Sequence, residues 1–191
     1  TLGYVHSLYK LYMDYFKDTD DAPSMQFYYS ELLWMRAEGE KNPSLAANRW
    51  EEAAVEYTEV VNMNKVDPKL VKEAAYASVL AWKNSLAVDI GGDAVDPPDE
   101  KATESVEKPL EIPEKQKKMM AAFDIYIKYV KDPADDELVV IKFLKARIYW
   151  RYKHFEEAIP LFAEILEKHT KHETAEFSVN LLLDSLARAG K

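Results

Sequence analysis

The sequence predicts an all-α protein of about eight helices arranged as stacked helix hairpins, on three observations. Apolar residues recur with a helical period from end to end, and no alternating run of branched residues bounded by turn formers is present. One helical phrase is written twice. Trp50-Glu51-Glu52-Ala53 followed by Tyr57, Glu59 and Val60-Val61 is matched by Phe155-Glu156-Glu157-Ala158 followed by Phe162, Glu164 and Ile165-Leu166. Finally, a small residue stands four before tryptophan in three places: Ser30 and Trp34, Ser78 and Trp82, Ala146 and Trp150. Repetition of a helical unit on this scale marks a stack whose members bury one another's apolar faces.

The elements follow in order. A first helix ends near Lys17, where Asp18-Thr19-Asp20-Asp21-Ala22-Pro23-Ser24 gathers turn formers and Pro23 disfavours continuation. Its Leu8, Tyr9, Tyr12, Tyr15 and Phe16 form an apolar stripe that expects a first-helix partner, as if the array continued upstream. A second helix runs from Ser24 to about Glu38, and Asn42-Pro43-Ser44 then breaks the chain. The third runs from about Leu45 or Asn48 to Asn64; Asp67-Pro68 stops it and starts the fourth, which fades at Asp89. Residues 89–113, with paired glycines, four prolines and many acids, read as a flexible acidic insert. Pro113 opens the fifth helix, which ends before Asp132-Pro133-Ala134. The sixth and seventh meet at a short turn around Lys153-His154. Because an interior proline costs about 3 kcal/mol, the seventh should begin near Phe155 or Glu156, keeping Pro160 close to its first turn. The eighth spans about His172 to Ala189 and is closed by Gly190.

In the doubled phrase, Trp50, Ala53 and Tyr57 share one face with Val60 and Val61 close by. Ala53 and Ala158 sit where a larger side chain would hold two backbones apart, so each phrase reads as one helix of a tightly packed pair. A worn third copy lies at Met119-Met120-Ala121-Ala122 with Tyr126, Tyr129 and Val130. Each copy follows a tryptophan-bearing helix, and Phe27 and Phe143 lie two turns before Trp34 and Trp150; the middle copy has Ala75 there.

The unit over residues 139–170 resembles a tetratricopeptide repeat, through Ala146 and Tyr149 in its first helix and Phe155, Ala158, Phe162 and Ile165-Leu166 in its second. Lys142 and Lys145 stand where that family's pattern wants apolar residues, and Thr170 replaces its closing proline. In the first unit Ser30 and Leu33 match, with Glu38 to Asn48 as an insertion before Trp50; the middle unit matches least. The chain is similar, more faintly, to large repeat proteins of bacterial cell envelopes, including those of myxobacterial gliding motility, around Tyr28-Tyr29-Ser30-Glu31-Leu32-Leu33 and Glu73-Ala74-Ala75-Tyr76-Ala77. The resemblance implies a right-handed α-solenoid, one domain over 1–191 belonging to a longer repeat protein, and a non-catalytic scaffold that offers a concave groove to a protein or peptide segment; the alternatives are a structural spacer or self-associating module and, in a different class, a helical small-ligand-binding or enzyme-associated domain. It leans towards the cell envelope or periplasm, with the cytoplasm as the alternative. First helices line that groove in the resembled family. The implied groove residues are Phe27, Glu31, Trp34 and Met35, then Val79, Trp82 and Lys83 (with Ala75), then Phe143, Arg147, Trp150 and Arg151. Tryptophan and arginine suit such a surface because they dominate interface energetics. The other reading of the three tryptophans is a packing ladder between adjacent helices.

Composition bounds the remaining classes. The 191 residues are 48% hydrophobic, enough for a continuous core, and no apolar run approaches the roughly 18 residues of a membrane span. Twenty-five basic against thirty-four acidic residues, net −9, disfavour nucleic acid, whose binding rests on clustered Lys and Arg. Zero cysteines remove disulfides, thiol catalysis and cysteine-ligated zinc. The chain opens Thr1-Leu2 without an initiator Met or a signal peptide, which reads as a processed product or an excised piece. Oligomeric state is left open.

Chemistry-bearing clusters are sparse. His169, His172, Glu173 and Glu176 offer a metal-like spacing, but they straddle a helix break and read as a solvated turn. Asp89, Asp93 and Glu100 occupy calcium-loop places, while Gly91 and Ala94 stand where an acid and a glycine are needed. Asp132, Asp135, Asp136 and Glu137 read as helix-start residues, and Lys115, Lys117 and Lys118 as a solvated face. With no nucleophile elbow, phosphate-cradling loop or zinc-protease motif, neither an enzyme nor a cofactor is expected.

Overall fold

The computed structural model describes residues 2–86 and 108–190, and these form eight helices with no strand among them. The chain divides into two compact units, Thr1–Val88 and Asp89–Lys191.

The first unit holds α1 (Leu2–Phe16), α2 (Ala22–Glu38), α3 (Pro43–Asn62) and α4 (Pro68–Leu86). Each packs on the next, and α2 also touches α4. The preceding helices end where expected, and the two prolines at the breaks also open the helices that follow. Pro23 sits in the first turn of α2, where its missing N–H has no partner to lose, so α2 starts at Ala22 and not Ser24. Likewise Asn42 caps α3: its Oδ1 accepts from the backbone N–H groups of Ser44 at 3.0 Å and Leu45 at 3.2 Å. The helix therefore begins at Pro43, and the supposed insertion before Trp50 is a short connection plus the opening turns of α3. That connection is pinned by Arg49, which pairs with Glu40 at 2.8 Å and donates to the Arg36 carbonyl at 3.1 Å.

Small residues set the α3–α4 distance. Ser78 Oγ donates to the Ala54 carbonyl at 2.9 Å and Ser85 Oγ to the Ala47 carbonyl at 2.8 Å. Two serines seven apart thus read two carbonyls seven apart in the opposite direction, which fixes an antiparallel register. A side chain reaches a neighbouring backbone only when the helices approach closely. Ala53, Ala54, Tyr57, Val60 and Val61 of α3 are all buried.

The second unit holds α5 (Glu114–Tyr129), α6 (Asp136–Arg151), α7 (Phe155–Lys168) and α8 (Thr174–Arg188). Here α6 packs on α5, α7 and α8, and α7 on α8. Asp135 caps α6 by accepting from the Leu138 N–H at 3.1 Å, as the acid cluster predicts. The helix α7 begins at Phe155, so Pro160 removes only a bond to the first turn. Gly190 adopts φ +71° just past α8, the left-handed conformation that a closing glycine supplies. The core is one cluster of Val139, Phe143, Ala146, Ala158, Phe162 and Ile165, with Trp150, Leu181 and Leu182 packed against it. Both alanines lie in that cluster, where their lack of bulk lets α6 and α7 close up.

Of the expected insert, residues 89–107 lie outside the described residues. The stretch from Lys108 to Pro113 is held: the Leu110 N–H donates to the Tyr152 carbonyl, and His154 Nε2 donates to the Leu110 carbonyl, both at 2.8 Å. Ile112 is buried beside it.

Candidate functional site

The paired aromatic contacts are the same in the two units. Phe27 of α2 meets Tyr57 of α3 with ring centroids 5.6 Å apart, and Phe143 of α6 meets Phe162 of α7 at 6.1 Å. These are equivalent positions of the doubled phrase and of the helix before it. Trp34 adds an edge-on contact with Trp50 at 4.7 Å and another with Tyr57 at 6.3 Å.

The residues that the resemblance places in a groove separate into two groups. Val79, Trp82, Phe143 and Arg151 are buried, as is Ala75, and none presents a surface to a partner. The cause is geometric. A helix packed against two or three others keeps only a narrow exposed arc, and α6 has three neighbours. Lys83 and Arg147 are half-buried. Trp150 is half-buried too, and its Nε1 donates to Asp184 Oδ2 of α8 at 2.6 Å, which fixes the ring as a link between helices.

The accessible part lies on α2. Met35 is 62% exposed, Glu31 and Tyr28 are exposed, and Phe27 and Trp34 show the outer edges of half-buried rings. Spacing explains the ridge: Tyr28, Glu31 and Met35 fall three and four apart along one side of the helix. Glu31 does not move freely there, because the Tyr57 hydroxyl donates to its carboxylate. Burial and that carboxylate push the Tyr57 hydroxyl far above its ordinary range, so it remains a donor.

A second polar arrangement, which the sequence did not announce, joins α1 to α2. His6 Nδ1 lies 3.2 Å from Tyr29 Oη and 3.4 Å from Arg36 Nη1. A guanidinium can only donate, so Nδ1 is the acceptor and the imidazole is neutral with its proton on Nε2. Burial, then Arg36, then Lys10 hold the His6 pKa below its ordinary 6.5. Burial, followed by Glu56 and Glu52, pushes the Tyr29 hydroxyl up to about 12. The two side chains border a cleft of about 570 Å³ whose other wall carries Glu51, Glu52 and Glu56. In the second unit a cleft of about 550 Å³ lies beside Lys131, Lys142, Glu164 and His169. His172, one of the four residues at metal-like spacing, uses Nδ1 within its own turn, 2.9 Å from Thr174 Oγ1. Lys117 of the basic run lies 3.6 Å from both Glu111 and Glu114.

One further repetition is not marked by tryptophan. α8 is a copy of α4 displaced by 100 residues: Glu73, Ala75, Ser78, Val79, Ser85 and Leu86 recur as Glu173, Ala175, Ser178, Val179, Ser185 and Leu186. Its signal is the constant offset of 100, since Leu182 stands where Trp82 does in the first copy. The copy is structural as well, since α2 touches α4 as α6 touches α8. Set against protein-family models, curated proteins and solved structures, the chain matches none. No described helix is long and apolar enough to cross a membrane.

Proposed function

We propose that this chain is a non-catalytic helical-repeat scaffold of the tetratricopeptide-like, right-handed solenoid kind, which holds a protein or peptide segment within a larger assembly. The observation that carries the proposal is the recurrence of one packing unit: ring on ring at Phe27–Tyr57 and Phe143–Phe162, with a buried alanine, Ala53 or Ala158, one turn away. Helices that repeat in this manner work by presented surface. The α2 ridge supports binding in particular, because an exposed methionine one turn from a fixed carboxylate, on a helix that also carries the half-buried Phe27 and Trp34, offers an apolar anchor with an orienting charge. An envelope or motility assembly is the setting that the fainter resemblance suggests.

A photo-crosslinking residue placed at Met35 tests this. In a native extract it should capture a discrete partner, identified by mass, and the same residue at exposed Asn62 should not. Capture that is equal at both positions, or absent at Met35, overturns the reading.

A further inference from the structure

We propose that α1 pairs antiparallel with α1 of a second copy of this chain. Tyr4, Leu8, Leu11 and Tyr15 are each between 52% and 76% exposed, although they stand at the spacing that makes a continuous apolar seam. In α5 and the residue that caps it, the positions at that spacing, Met119, Phe123, Tyr126 and Val130, are all buried. The opposite side of α1 is already occupied: His6 and Tyr9 pack on Tyr29 with ring centroids 5.4 and 5.9 Å apart. A helix apolar on both sides belongs between two partners, and among the described residues α1 packs chiefly on α2.

The seam identifies the second partner through its own symmetry. Read in either direction it is Tyr, Leu, Leu, Tyr at steps of four, three and four. A two-fold axis across it therefore sets Tyr4 against Tyr15 of the second copy and Leu8 against Leu11, two aromatic outer layers closing two leucine inner ones. The flanks agree. Ser7 comes beside Asp14 on one side and Val5 beside Tyr12 on the other, so no like charges meet. Each copy contributes four large side chains, flanked by exposed Val5 and Phe16. Aromatic side chains bury about 150–250 Å² each, so the patch reaches a substantial part of the roughly 800 Å² per partner of a specific interface.

Sedimentation equilibrium of the 191-residue chain should show its mass rising with concentration from 22.0 kDa towards twice that value. The double variants Leu8→Lys with Leu11→Lys, and Leu8→Glu with Leu11→Glu, should each remain monomeric with unchanged helical circular dichroism, because both positions are exposed. Mixed, they should form a one-to-one dimer. The chain lacks cysteine, so Tyr4→Cys and Tyr15→Cys variants report direction: mixed under oxidation they should crosslink to each other, and Tyr4→Cys alone should not crosslink to itself. A parent that stays monomeric at every concentration, a dimer that survives the lysine pair, or self-crosslinking at position 4 overturns the proposal. None of these readouts depends on the Met35 capture, so the two proposals stand or fall separately.

Discussion

Trp82 and Met35 both fall in the set implied for the groove, and their surroundings separate them. Trp82 is buried within the first unit, whereas Met35 projects into solvent. Truncating the first removes a ring from a packed interior, which costs about 3–5 kcal/mol, while truncating the second stays within about 0.5 kcal/mol of the parent. Urea unfolding of Trp82→Ala and Met35→Ala measures this difference, and equal midpoints would return Trp82 to the surface. His6 gives a pH effect whose sign follows from its neutral state. A lowered folded pKa means that the unfolded chain binds the proton first, so stability is full above the unfolded value of about 6.5 and is lost as pH falls below it. The unfolding free energy of the parent should therefore fall between about pH 7 and pH 5 more steeply than that of His6→Gln, in which the amide oxygen still accepts from Arg36.

Between helices, two lysines explain a departure from the repeat pattern. Lys142 and Lys145 of α6 occupy places where the resembled family keeps apolar residues, and each reaches a carboxylate on a neighbouring helix: Lys142 meets Glu164 of α7 at 2.9 Å, and Lys145 meets Asp124 of α5. An ion pair thus takes over the join that apolar contact makes elsewhere. Hydrogen bonds from Lys142 and then Lys168 hold the Glu164 carboxyl below its ordinary value. Its contribution is present above the unfolded value of about 4.5 and disappears as pH falls through the folded value. Glu164→Gln should cost about 0.5–1 kcal/mol at neutral pH and nothing in strong acid, because the pair is partly solvated. Thermal melts across that range check it, and a cost independent of pH would assign the effect to packing. Element existence was legible from periodicity, whereas the starts of α2 and α3 were not. Proline and asparagine open helices with the same chemistry by which they end them, and only the direction of the following backbone separates the two. Spacing likewise showed that Phe143 and Trp150 share a side of α6, but not that α7 and α8 would cover it.

At the scale of the chain, the two units are built on the same plan, and each should open as a block. In the second, Phe162 contacts Phe143 within a cluster that also takes in Leu181 and Leu182 of α8, so one ring ties three helices. Phe162→Ala leaves a cavity at that junction, and the missing ring cannot be replaced by movement of a single helix, because α6 and α8 touch each other as well. The opening free energy of the block should fall by about 3–5 kcal/mol, and backbone amides of α6, α7 and α8 should accelerate together under native-state hydrogen exchange. The exposed side of α8 provides the contrast within the same sample: Leu183 stands clear of the cluster, and Leu183→Ala should leave those amides near their parent rates. Acceleration confined to α7 would mean that the helices are held singly, and the repeated contacts would then be a resemblance in sequence without a shared core.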